Sequence, residues 1–105
     1  MDAEVSQVPC ETGKMVGEQA DTLYTAHETT LTRGQLFFLF TDGMTSAENA
    51  TGKPFGEKAL RGAALQAFKL DPTPEGFAGH MIKAVRSYTA GAQQKNDMTM
   101  LVVTI

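Results

Sequence analysis

"LFFLFTDGMTSAEN", residues 36–49, runs from five apolar residues into a polar turn, with one carboxylate, Asp42, at the junction. An unbroken apolar run of that length puts hydrophobic side chains on both faces of a strand. Residues 35–41 are therefore expected as a strand inside a sheet that is covered on both sides. The last residues, TMLVVTI at 99–105, have the same character and are expected to form a second such strand. Upstream, residues 22–31 are rich in β-branched and aromatic side chains, and Arg33-Gly34 supplies a turn, which predicts a hairpin leading into the apolar run.

Two helical patterns lie between the two strands. Leu60, Ala63, Ala64, Ala67 and Phe68 recur at helical spacing, which predicts a helix over 56–69. Its stripe is mostly alanine, so a neighbour must approach closely. Phe77, His80, Met81, Ala84, Val85 and Tyr88 repeat the pattern. Thr73 is suited to cap this second helix and Pro74 to its first position, while Glu75 complements its positive end and Gly91 can stop it in the left-handed conformation. His80 has no second histidine near it and reads as a packed or half-buried side chain. Residues 1–21 contain Pro9, Gly13 and Gly17 and are expected to be a loop or fraying segment.

Composition narrows the function. A chain of 105 residues is most economically one domain. Its net charge of −3 and nine scattered basic residues do not favour a nucleic-acid binder, which needs clustered Lys and Arg. The longest apolar run falls far short of the roughly 20 residues that span a bilayer. No secretory signal pattern opens the chain, so a cytoplasmic location is expected. Cys10 is the sole cysteine, excluding an intrachain disulfide or a multi-cysteine zinc site, and reads as an incidental thiol.

Each of the two apolar strands carries a carboxylate at one end: Asp42 follows the first and Asp97 precedes the second. If they pair antiparallel, Asp42 and Asn96-Asp97 converge at one edge of the sheet. Oxygen ligands on rigid elements hold hard cations such as Mg²⁺ and Mn²⁺, and a water on such an ion becomes a nucleophile. Spacing alone leaves the alternative open, because Asp42-Gly43 is also a common turn signal and Asn96-Asp97 can be a solvated loop.

Three segments, GQLFFLFTDGMTSAEN at 34–49, GKPFGEKAL at 52–60 and QKNDMTMLVV at 94–103, resemble in order and spacing the second half of the SpoIIE-like bacterial serine/threonine phosphatases. That family belongs to the metal-dependent, protein phosphatase 2C-like (PPM) class, and the resemblance covers about residues 13–105. It implies an α+β fold: part of a PPM-type architecture, mainly antiparallel β-sheet (half of a β-sandwich) packed with two α-helices in αββα-like layers. Residues 22–105 would be the C-terminal portion of the domain. Two Mn²⁺ or Mg²⁺ ions would activate water against a phosphoserine or phosphothreonine. The metal-ligating Asp of the family's TDG segment falls on Asp42, with Gly43 keeping the backbone clear of the ion. A second ligand position falls on Asn96, followed by Asp97.

Three departures from the family pattern stand out. Residues 1–21 hold no Asp-x-x-Gly-His-Gly-like stretch, so the chain is expected to be a fragment or truncated relative whose metal site is incomplete. Asn96 puts a neutral carbonyl where the family has a charged ligand, and Ser46 stands where many relatives carry Glu. Two functions follow: the C-terminal part of a phosphatase acting on a signalling phosphoprotein, such as an anti-sigma-factor antagonist, or a degenerate phosphatase-like module that binds a protein partner. A sheet cut in half would also expose an apolar face, which a homodimer or strand exchange would bury.

Overall fold

The computed structural model describes residues 3–8, 12–13 and 15–105. Cys10 and Pro9 lie outside the described residues. The element order is β1 (Leu36–Phe40), α1 (Asp42–Thr45), α2 (Gly56–Leu70), α3 (Pro74–Thr89) and β2 (Met100–Thr104). The two strands pair antiparallel, from Leu36 opposite Thr104 to Phe40 opposite Met100. The fold is α+β: a two-stranded antiparallel sheet with its helices in one layer. No helix among the described residues is long and apolar enough to cross a membrane.

Alternation along the strands sorts the sheet into two faces. Leu36, Phe38, Met100 and Val102 pack against the buried cluster of Met44, Leu60, Ala64, Ala67, Phe77, Met81 and Val85. The Phe38 and Phe77 rings meet at 5.2 Å between centroids. On the opposite face Leu39, Leu101 and Val103 remain exposed. The expectation of a sheet covered on both sides is thus corrected: one helical layer covers one face. The expected α+β class holds, with more helical than strand residues among those described.

The expected hairpin is absent as well. Residues 22–31 form no strand, and Leu23 is 95 % exposed. β-branched and aromatic composition describes a surface fit for a sheet, but a strand also needs a partner for its backbone. Here β1 takes β2 instead.

Both predicted helices form close to the expected bounds. Small side chains at Ala64 and Ala67 let α3 approach α2. Tyr88 reaches from α3 to the loop before α2, where its hydroxyl donates to the carbonyls of Lys53 (2.9 Å) and Pro54 (3.1 Å). His80 is half-buried, beside fully buried Met81. The helix ends with Ala90 in the left-handed region at φ 45°, followed by Gly91 at φ 88°, so the left-handed stop begins one residue before the expected glycine.

The start of α3 is a built cap. Thr73 Oγ1 accepts from the Gly76 N–H at 3.1 Å, and Asp71 Oδ1 accepts from the Thr73 hydroxyl (2.7 Å) and N–H (3.0 Å). A Cβ on Gly76 would collide with the Asp71 carboxylate. The Thr73 hydroxyl, then the Thr73 N–H and nearby His80, hold the Asp71 carboxyl below its ordinary value of 3.8. A carboxylate lowered in the folded state stabilises fully above its unfolded pKa and loses that contribution as pH falls through the folded one. Urea midpoints of the wild type and Asp71→Asn should therefore differ at neutral pH and converge as the pH falls below 3.8. Thr73→Ala should cost about 1 kcal/mol at neutral pH, as loss of a helix cap does.

Candidate functional site

The antiparallel register brings the end of β1 and the approach to β2 together, and a threonine closes the junction. Thr41 N–H donates to the Thr99 carbonyl at 3.0 Å, continuing the ladder one step past Phe40. Its hydroxyl donates to the Asp97 carbonyl at 3.2 Å and accepts from the Thr99 N–H at 3.0 Å. Thr41 also precedes α1 as its N-cap residue, yet its side chain makes no capping bond. The hydroxyl is committed across the strands.

Asp42 opens α1, a single turn. Two residues on, Met44 is 3 % exposed and belongs to the core cluster. Asp42 is thus fixed between a sheet on one side and a buried anchor on the other, while remaining exposed itself. Gly43 is buried, and a Cβ there would collide with the Asp97 carbonyl oxygen and lie 3.3 Å from Asn96 Cβ. The resemblance assigns this glycine to keeping the backbone clear of a metal. In the structure, its missing side chain clears the backbone of Asp97.

The four residues singled out from the sequence, Asp42, Gly43, Asn96 and Asp97, therefore gather at one end of the sheet. Asn96 and Asp97 are exposed like Asp42. Asn96 Nδ2 donates to Ser46 Oγ at 3.3 Å, so the two residues that depart from the family pattern contact each other. Just outside this pair, Lys95 Nζ meets Glu48 Oε1 at 2.5 Å. The loop carrying Glu48 is shaped by Asn49, whose Oδ1 accepts from the N–H groups of Thr51 and Lys53 and the Thr51 hydroxyl.

Two exposed carboxylates and a side-chain amide suit a hard, partly hydrated cation, which takes oxygen donors and keeps several waters. Among the described residues no three of His, Cys, Asp and Glu form a group able to hold a metal ion. The described residues therefore do not make up a two-metal site. Thr41 is the residue of the junction that sequence reasoning missed. It stands inside the quoted TDG segment, but nothing in the pattern marks its hydroxyl as a strand-to-strand link.

A TDG turn clasped against an NDMT segment at the end of an antiparallel pair, with three helices between the strands, makes an α+β arrangement whose relation to phosphatases comes from its family. The family model for Stage II sporulation protein E (SpoIIE) matches residues 1–105, and the chain belongs to that family. No curated protein and no solved structure matched it.

Gly43 offers a test of the junction by sign. On an open helical turn, Gly→Ala gains up to about 1 kcal/mol. Against the Asp97 backbone, Gly43→Ala should instead lose about 1–3 kcal/mol, as overpacked sites do. Chemical denaturation of the two chains distinguishes the cases.

Proposed function

We propose that this chain is the C-terminal part of a metal-dependent serine/threonine phosphatase domain that acts on a cytoplasmic signalling phosphoprotein, such as an anti-sigma-factor antagonist. The observation that carries this reading is the junction at which Gly43 packs on Asp97, bringing Asp42 and the Asn96-Asp97 pair to one sheet end. Asp42 and Asp97 would offer carboxylate oxygens to Mn²⁺ or Mg²⁺, and Asn96 its carbonyl. A cation so bound supplies acidified water for attack on a phosphoryl group. Thr41 and Met44 keep the Asp42 backbone in place, and Ser46 holds the Asn96 amide. The rest of the ligand shell would come from water and from residues other than the described ones at this sheet end. By itself the chain should turn over little p-nitrophenyl phosphate.

Thermal melts with and without millimolar Mn²⁺ test the ligand assignment. A cation that binds only the folded state raises the melting temperature. The wild type should show a small rise, Asp42→Asn none, and Asn96→Asp a larger one, because a carboxylate binds a hard cation better than an amide carbonyl does. Without metal, Asp42→Asn should be as stable as the wild type or slightly more so, since one of two neighbouring negative charges is gone. An Mn²⁺ response unchanged in Asp42→Asn would overturn the assignment and favour the alternative, a phosphatase-like module that binds a protein partner without catalysis.

For assembly we propose a homodimer through the uncovered sheet face. Leu39 and Leu101 there are 51 % and 57 % exposed, and both strands have an unpaired edge among the described residues. A second copy would bury that face. Sedimentation should show self-association that rises with concentration and is lost in Leu101→Lys.

A further inference from the structure

Next to the junction, a cavity of about 270 Å³ opens between the loop after α1, the end of α3 and the segment leading to β2. Gly43 and Asn96 belong to its wall, so it shares residues with the candidate metal end. Met98 lines it too, and three charged residues complete the part that matters here: Glu48, Arg86 and Lys95. Glu48 and Lys95 neutralise each other in an ion pair. Arg86 makes no ion pair among the described residues. Of the three charged residues in the wall, exposed Arg86 is thus the one without a charged partner among the described residues.

An unpaired guanidinium offers five N–H donors in a planar fork that matches carboxylate and phosphate oxygens. Arg86 lies in the last turn of α3, where a cation also favours the negative end of the helix dipole. That role needs charge alone. It accounts for neither the cavity whose wall includes Arg86 nor the pairing that removes the neighbouring Lys95 as a competitor for anions.

We infer that this cavity takes an anionic side chain, phosphate or carboxylate, from a protein segment laid across the sheet end, with Arg86 as the residue that selects for the charge. The inference rests on the proposed phosphatase reading for the identity of that segment as substrate. The anion preference itself requires neither metal nor turnover.

Heteronuclear NMR titration of the full chain without added metal reads it directly. The probes are three heptapeptides, Gly-Ala-Gly-X-Gly-Ala-Gly, with X as phosphoserine, aspartate or serine, at low ionic strength. The Arg86 Nε–H resonance and the backbone amides of Gly91 and Asn96 report occupancy. The two anionic peptides should bind about three- to fivefold tighter than the serine peptide, the scale of one charged contact at an exposed site. Arg86→Gln should erase the preference, while Arg86→Lys should keep part of it. Tighter binding of phosphoserine than aspartate assigns the cavity to the phosphorylated residue, and equal binding assigns it to a flanking acidic one.

Equal binding of all three peptides, no shift with any, or a preference that survives Arg86→Gln would overturn the inference. If Arg86 served only the helix end, Arg86→Gln would lower the melting temperature and leave the preference among peptides unmoved. The peptide titration contains no metal, whereas the melts contain no peptide. A failure of the Mn²⁺ assignment and a failure of this one are therefore separately visible.

Discussion

The antiparallel pairing of β1 with β2 is the constraint on which the rest of the structure depends. It joins backbone 58 residues apart at the Thr41–Thr99 bond, and everything between the strands must fold back for it to form. The entropy of closing such a loop grows only slowly with length, so a long insertion between paired strands is tolerated if its own contacts are sound. Here α2 and α3 supply them. Their packed faces form the support for the inner face of the sheet, through Phe77 against Phe38.

The same pairing creates the functional junction. Once Phe40 stands opposite Met100, the next step of the ladder places Thr41 against Thr99 and presses α1 on the segment before β2. Gly43 is required there by a backbone approach too close for any side chain. The junction is consequently rigid at the backbone while its acidic side chains face solvent, an arrangement suited to presenting oxygens and poor at burying charge.

Membership of the SpoIIE family gives these features their setting, and the departures from the family pattern have a physical counterpart. Asn96 donates to the Ser46 hydroxyl through its amide nitrogen, which leaves its carbonyl oxygen as its remaining acceptor. An aspartate at position 96 would only accept, and the serine hydroxyl could rotate to donate to it. Ser46 can thus serve either residue. The neutral pair changes the charge offered at the sheet end without breaking its hydrogen bonding.

Much of this was legible in the amino-acid order. Helical periodicity marked both long helices, and the cap at Thr73-Pro74 and the left-handed exit near Gly91 are local chemistry that a short stretch of chain dictates. The apolar runs marked both strands, and Asp42, Asn96 and Asp97 were recognisable as candidates from their places at the strand ends. Which strands would pair was not legible in the same way. Residues 22–31 have strand-like composition and form no strand, because pairing depends on a partner rather than on intrinsic preference. The apolar runs did not disclose that Leu39 and Leu101 would stay uncovered, since hydrophobicity states what should be buried and not whether a covering layer exists. The Thr41 clasp, the Gly43–Asp97 approach and the unpaired Arg86 beside a cavity were decided by tertiary structure alone: each joins residues far apart in sequence, and their chemistry arises only when the chain brings them within contact distance.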